Sequence, residues 1–234
     1  AQARTDAAGS FLVPDVPDGS YRIAVTSANG LLSSAFEIEV VDGYTPGDIE
    51  LLMRPTRTNT FVNVPGRYDD VGAVLKELGY LSVTMDAAEL AVSTYPLAFA
   101  DLLCLNSGVD VELANNQTVV ANLRRFVNEG GLLVVSDAGW PFVAAAFPSA
   151  VTWEGNPAIG TGDQIIRANV GDPDFGSCMV LERLDIRYTL DKWALPRSCA
   201  GTTFLRGDAA TTQGPRPDAP LLVGFAYGRG YVLY

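Results

Sequence analysis

The hydrophobic period of this chain changes once, at Arg54-Pro55-Thr56-Arg57-Thr58, and that change limits the fold more than any other feature. Before it, apolar residues alternate with polar ones in Ser10-Phe11-Leu12-Val13, Tyr21 to Val25, Ala35 to Val41 and Asp48 to Leu52. Turns rich in Pro, Asp and Gly separate these runs, and no helical spacing interrupts them. Alternation of period 2 places one face of each run on a core and one in water, so residues 1–54 are expected to be antiparallel β structure.

After the change, strand-like and helix-like segments take turns. Thr60 to Val64 reads as a buried strand and leads through Pro65-Gly66 into a helix ending at Gly79, with Val71, Val74, Leu75 and Leu78 as its expected apolar stripe. Leu81 to Met85 and Asp101 to Asn106 are the next expected strands. Asn115 to Asn128 reads as a helix buried through Val119, Val120, Leu123, Phe126 and Val127, and Gly130-Gly131 stops it before the strand Leu132 to Val135. Such alternation implies crossover connections, hence a mainly parallel sheet with helices on both faces. The expected organisation is therefore a β module at 1–54, a linker at 55–59 and an α/β domain at 60–234.

Charge and composition remove several functional classes. With 27 acidic against 16 basic residues the net charge is −11, a surface that repels nucleic acid and anionic lipid. The longest apolar runs fall far short of the roughly 20 residues that span a bilayer. No histidine occurs in 234 residues, so neither a Ser-His-Asp nor a Cys-His constellation can be assembled. The only lysines, Lys76 and Lys192, have no spacing that recommends either as the base for a serine. Zinc and copper lack their usual ligands, and no cofactor is expected.

Carboxylate-rich turns at Asp69-Asp70 and Gly171-Asp172-Pro173-Asp174 offer oxygen atoms for calcium, but without the spaced ligands of a dedicated loop they read as solvated turns. Cys104, inside an apolar strand, reads as a small buried hydrophobe. The three cysteines permit three single pairings. Cys178–Cys199, which flank a segment of strand and loop, is the bridge expected, and it implies an oxidising compartment. Asn116-Gln117-Thr118 fits a glycosylation acceptor, and Tyr227-Gly228-Arg229-Gly230 reads as a tight hairpin between two last strands rather than a phosphate loop.

Two resemblances add to this. Thr5-Asp6 through Gly9-Ser10-Phe11, followed by Val16-Pro17-Asp18-Gly19-Ser20-Tyr21 and the strand Arg22 to Thr26, resembles the second half of a carboxypeptidase regulatory-like domain, a transthyretin-like β-sandwich. The family's opening strands have no counterpart, so the resemblance implies a partial sandwich with an open edge. In residues 58–234 the order of Phe99 to Gly108, a helix ending Phe126 to Gly131, and Pro220 to Val232 resembles a class I glutamine amidotransferase-like domain, which implies a flavodoxin-like sheet. Active members carry a glycine-x-cysteine-x-glycine elbow after the double glycine. The matching turn here is Val135-Ser136-Asp137-Ala138-Gly139, which has no cysteine and puts Ser136 near the elbow, and the family's later histidine-x-glutamate pair is missing.

The resemblance thus implies a scaffold without its catalytic residues, and no catalytic residue is expected. Ser136-Asp137 reads as a cap for a short helix from Pro141 or as a strand terminator. The alternative is a saccharide or small-molecule site at the carboxyl edge of the sheet, formed by Asn106, Ser107, Ser136, Asp137 and Trp140. Trp140, Trp153, Trp193, Tyr188 and Tyr227 surround this half and read as core packing or as stacking platforms. The function expected is that of an extracellular or cell-surface structural or interaction protein of bacterial type. Its partners would be other proteins, or copies of itself joined through exposed strand edges.

Overall fold

The computed structural model describes residues 3–6, 10–26, 32–42, 54–55, 60–78, 80, 82–92, 95–98, 100–153, 157–179 and 181–234, excepting the side chains of 26, 32–34, 54–55, 95–96 and 178–179. The chain divides into two units, Ala1–Asn59 and Thr60–Tyr234.

In the first unit the alternation of apolar residues produces a three-stranded antiparallel sheet of β1 (Gly19–Thr26), β2 (Leu32–Val40) and β3 (Arg54–Pro55), with β2 central. Tyr21 pairs with Ile38 and Ile23 with Phe36, so these side chains share one half-buried face, while Ser20, Arg22 and Ala24 are exposed on the other. The Tyr21 hydroxyl donates to Pro17 O at 2.8 Å, closing the turn that feeds β1. Ser10 to Val13 is not the expected strand. Asp6 instead closes a local turn, its N–H donating to Ser10 O and its carboxylate accepting from Ser10 N, both at 2.9 Å. The strand expected at Asp48 to Leu52 lies outside the described residues.

The second unit is built on a nine-stranded sheet. Its chain order is β4 (Thr60–Val64), α1 (Val71–Glu77), β5 (Ser82–Thr84), α2 (Glu89–Val92), α3 (Tyr95–Ala98), β6 (Ala100–Leu105), α4 (Gln117–Asn128), β7 (Leu132–Val135) and α5 (Trp140–Ala146). It continues with β8 (Val151–Thr152), β9 (Gly160–Thr161), β10 (Gln164–Val170), α6 (Pro173–Met179), β11 (Arg183–Tyr188), β12 (Lys192–Trp193), β13 (Ser198–Cys199), β14 (Thr202–Ala209), β15 (Arg216–Tyr227) and β16 (Gly230–Leu233). Across the sheet the strands lie in the order β11-β10-β14-β15-β16-β7-β6-β4-β5.

Five strands, β16-β7-β6-β4-β5, are mutually parallel, and β15, β14, β10 and β11 extend them antiparallel. The parallel half follows the doubly wound order in which the second strand lies on one side of the first and the third on the other. Right-handed crossovers then put α1 on one face and α2, α4 and α5 on the opposite one, where α2 and α5 both pack on α4.

The core forms between that helical layer and the sheet. Val62, Val64, Leu103, Leu105, Leu133, Val135 and Val232 meet Leu123, Val127 and Phe142, all essentially removed from water. The five residues expected to form the stripe of α4 are all buried. Gly131 follows because the Phe126 ring occupies the space its Cβ would need. Helix α1 differs from expectation. Its buried contact is Gly72, packed on Asn63, which turns Val74 and Leu78 outward to 55% and 61% exposure. A smaller core of Ile159, Ile166, Trp193, Leu195, Ala209 and Ala219 holds the antiparallel extension. Tyr227 pairs with Gly230 across the two-residue hairpin expected there.

Candidate functional site at the carboxyl edge of the sheet

The direction of winding reverses between β4 and β6, and the crevice at such a reversal is where open α/β sheets bind ligands. Here the crevice is filled by the protein's own polar side chains. Asn106, at the end of β6, is fully buried. Its Oδ1 accepts from Val71 N at 2.8 Å, and its Nδ2 donates to Asn63 Oδ1 and to Val64 O, both at 2.7 Å. Asn63 Nδ2 donates onward to Asp70 Oδ1 at 3.2 Å, and the same carboxylate oxygen caps α1 by accepting from Ala73 N at 3.1 Å. Asp69 accepts from Ser107 N, and Ser107 Oγ accepts from Ala138 N at 3.3 Å. Gly66 is required because a Cβ there would strike Ser107 O and the Asn106 backbone.

This network decides the fate of several expected site residues. Asn106 and Ser107 do lie at the carboxyl edge, but both are buried and their polar groups are engaged in tying β4, β6 and β7 together. Asp69 and Asp70 brace the loop after β6 and the start of α1. Asp172 caps α6 by accepting from Phe175 N at 2.8 Å, and Asn116 caps α4 by accepting from Thr118 N at 2.9 Å. Among the described residues no group of three or more His, Cys, Asp or Glu is placed to hold a metal ion.

The turn after β7 carries Ser136 and Asp137. Asp137, not Ser136, takes the left-handed conformation there, with φ of 32°. Such a backbone is uncommon for a residue with a side chain, though Asp and Asn tolerate it. The helix cap expected of Ser136-Asp137 is not made; Ser136 Oγ reaches Leu105 O at 3.5 Å, and no side chain caps α5. Asp137 Oδ1 instead accepts from Ala194 N at 2.7 Å, a contact across 57 residues, and its own carbonyl accepts from the Tyr234 hydroxyl at 2.9 Å.

The electrostatics of this turn follow from its burial. Desolvation raises the Asp137 pKa, the Ala194 N–H opposes the rise, and the nearby Asp69 charge adds to it. Tyr234 is raised well above its ordinary value by burial, with Asp137 and Tyr188 adding to the rise, and Tyr188 is raised by burial and then by Asp137. Cys104 is pushed up to about 12, chiefly by burial and then by Asp69. A thiol so disposed is an inert core group.

Around the turn, Trp140 lies 5.5 Å from Trp153, and Trp153 meets Tyr234 edge-on at 5.1 Å. Trp193 is buried, stacks on Tyr188 at 4.0 Å and donates from Nε1 to Thr161 O at 2.9 Å. Trp153 Nε1 is buried without a hydrogen-bond partner among the described residues. Ser136, Asp137 and Trp140 are neither fully buried nor fully exposed, except that the Trp140 ring packs into this aromatic group. Sequence reasoning missed Asn63, Ala194 and Tyr234 as members of this region, and of these only the polar Asn63 inside an apolar strand carried a signal; Tyr188 is among the aromatics expected around it.

The bridge expected between Cys178 and Cys199 is not formed. Cys199 is a free thiol whose Sγ accepts from Gly201 N at 3.3 Å and contacts Gly224 O at 3.7 Å; the Cys178 side chain lies outside the described residues.

No family model and no curated protein matches this chain. Solved structures do. A ThuA-like protein from Bacteroides uniformis aligns over 82% of this chain and 85% of its own, at 10% identity and a TM-score of 0.52. The likeness is one of fold. A glutamine amidotransferase from Thermotoga maritima aligns over 76% of this chain and 75% of its own at 14% identity, with a TM-score of 0.46. A GMP synthase component from Thermoplasma acidophilum aligns over 74% and 81% at 13% identity, with a TM-score of 0.48. The α/β fold class expected from the alternation of strands and helices is the one found, with the antiparallel extension added to it.

Proposed function

We propose that this chain is a non-catalytic interaction protein of the bacterial extracellular or cell-surface type, in which a carboxypeptidase regulatory-like β module accompanies an amidotransferase-like scaffold. The observation that carries the reading is the use of Asp137. Nucleophilic catalysis at a strand-to-helix elbow needs an attacking atom with a base in hydrogen-bond reach. At this elbow the side chain is a carboxylate engaged by the Ala194 N–H, and the chain has no imidazole. The turn is spent on holding a remote loop.

Strand addition is the mode of association the edges favour. Edge strand β11 exposes Arg183, Asp185 and Arg187, a charge pattern that discourages pairing, and β5 is only three residues long. Strand β1, at the edge of its sheet among the described residues, is eight residues long and exposes Ser20, Arg22 and Ala24, with a single charge among them. Light scattering over a wide concentration range tests this, with association expected to rise with concentration and to be lost in Ala24→Lys. A strictly monomeric protein at every concentration refutes it. Turnover of glutamine or of ester substrates, abolished by Ser136→Ala or Asp137→Ala, would refute the non-catalytic reading.

A second reading, a saccharide or small-molecule site at Ser136, Asp137 and Trp140, is favoured by the indole N–H of Trp153 beside Trp140, which has no partner among the described residues. A glycan thermal-shift screen checks it. A saturable rise in melting temperature that Trp140→Ala removes supports it, and its absence across the screen counts against it.

A further inference from the structure

The residues that alternate with the core positions of β6, β7, β16 and β15 form the second face of the sheet. Strand register aligns them in two rows, Leu102-Leu132-Tyr231-Ala226 and Cys104-Val134-Leu233-Gly224. Neither row contains a charged residue. Leu102, Leu132, Val134, Tyr231 and Leu233 are half-buried, and none of them joins either hydrophobic core. Tyr231, Leu233 and Phe204 converge over Gly224, where a Cβ would strike all three. A parallel sheet is ordinarily covered on both faces, and α4 and α5 cover β7 only from the core side.

Two walls flank this apolar floor. Helix α1 stands on β4 and β5, with Gly72 against Asn63 and Leu75 half-buried on the sheet side. At about 100° per residue, Val71, Val74 and Leu78 form a stripe roughly a quarter turn from that side. In a right-handed helix of a right-handed crossover from β4 to β5, this quarter turn faces β6. Val74 and Leu78, 55% and 61% exposed, therefore border the floor instead of covering it. At the other side the Phe175 ring of α6 lies 5.3 Å from Phe204. Four strands spaced about 4.8 Å apart make the floor roughly 14 Å across, room for one helix about 10–12 Å in diameter.

We infer that this groove docks one amphipathic helix of a partner protein, with an uncharged apolar stripe and basic flanks. The floor selects the stripe, as in other helix-in-groove contacts. The walls select the flanks: exposed Glu77 follows Lys76 and precedes Leu78 on α1, exposed Asp174 precedes Phe175 on α6, and the chain carries a net charge of −11. A basic flank gains from that field. A second copy of this chain fits less well. Glu77 lies on the outward side of α1, so two copies packed face to face would press a carboxylate onto each apolar floor.

Fluorescence anisotropy with labelled synthetic helices tests this, using the full chain carrying Ala24→Lys so that growth at β1 does not interfere. The probe repeats Leu-Lys-Lys-Leu-Leu-Lys-Leu; one control scrambles the same residues to abolish the stripe, and another replaces every lysine with glutamate. Saturable binding of the probe is expected, at least tenfold tighter than either control and weakened on the order of tenfold by Val74→Gln/Leu78→Gln. Should that double variant fail to fold, Tyr231→Thr on the floor carries the same expectation, with strand propensity kept. The inference is overturned by the absence of saturable binding, by a scrambled or glutamate peptide that binds equally well, or by affinity that survives both variants. An Ala24→Lys protein that is itself a dimer, and becomes a monomer with Val74→Gln/Leu78→Gln, also overturns it and gives the groove to a second copy.

Discussion

Replacing Asp137 separates three things that meet at one position: a left-handed backbone, a hydrogen bond and a buried charge. Alanine at φ 32° meets the steric penalty of the left-handed region, roughly 1–2 kcal/mol. It also leaves the N–H of Ala194, a residue only 7% exposed, without its acceptor, at about 1–3 kcal/mol. Asp137→Ala is therefore expected to destabilise by about 2–5 kcal/mol, a fall in melting temperature of roughly 4–20 °C for a unit of this size. Asp137→Gly removes the steric part and keeps the hydrogen-bond loss, so it should fall between alanine and wild type. Asp137→Asn keeps an acceptor oxygen and tolerates the backbone, and it removes a carboxylate that burial and Asp69 disfavour.

The pH dependence gives an independent check on Asp137. Its pKa is raised in the folded protein, so its stabilising contribution is fully present below the unfolded value and is lost as pH rises through the folded one. The advantage of Asp137→Asn over wild type should therefore grow from about pH 3 toward neutrality. Thermal denaturation of the four proteins across that range decides the matter. Asp137→Ala melting with wild type, or Asp137→Asn falling as far as Asp137→Ala, would refute the idea that this side chain is a strut.

Asn106→Asp should be strongly destabilising, because its second oxygen would face Asn63 Oδ1 and Val64 O where an amide now donates; chemical denaturation should show a loss of at least about 2 kcal/mol. Gly131→Ala places a methyl against the Phe126 ring and should lose about 1–3 kcal/mol, partly restored by Phe126→Leu, which is measurable by the same method. Cys104, buried and with its thiol pushed up to about 12, should resist alkylation at about pH 8 until the protein unfolds, whereas half-buried Cys199 should label in the folded state; peptide mass mapping over time distinguishes them.

The legible parts of the fold are those specified by local pattern. The five-residue stripe of α4, the double glycine after it and the apolar run of β7 each depend on neighbours within a few residues. The facing of helix α1 is hidden in the sequence because a glycine, carrying no apolar signal, makes the buried contact through Asn63. The antiparallel extension is not legible either, since Gln164–Val170 and Arg183–Tyr188 are paired across a helix and owe their register to each other. At the site, position is legible and role is not. Asn106 and Ser107 stand where a strand-end count puts them, but only the fold shows that β4 and α1 use up their polar groups. The Asp137–Ala194 bond joins loops that no local rule connects.

Strand β16 follows every other described strand of its unit in the chain, yet it sits between β7 and β15 and touches both. Until Tyr231 to Leu233 leave the ribosome, the parallel half ends at β7 with a bare margin, and the antiparallel strands lack the strand that joins them to it. Synthesis thus yields two incomplete sheets that these few residues must stitch together. A nascent chain stalled before Gly230 would present two unsatisfied borders to the chaperones around it, and loss of this short piece should harm assembly out of proportion to its length.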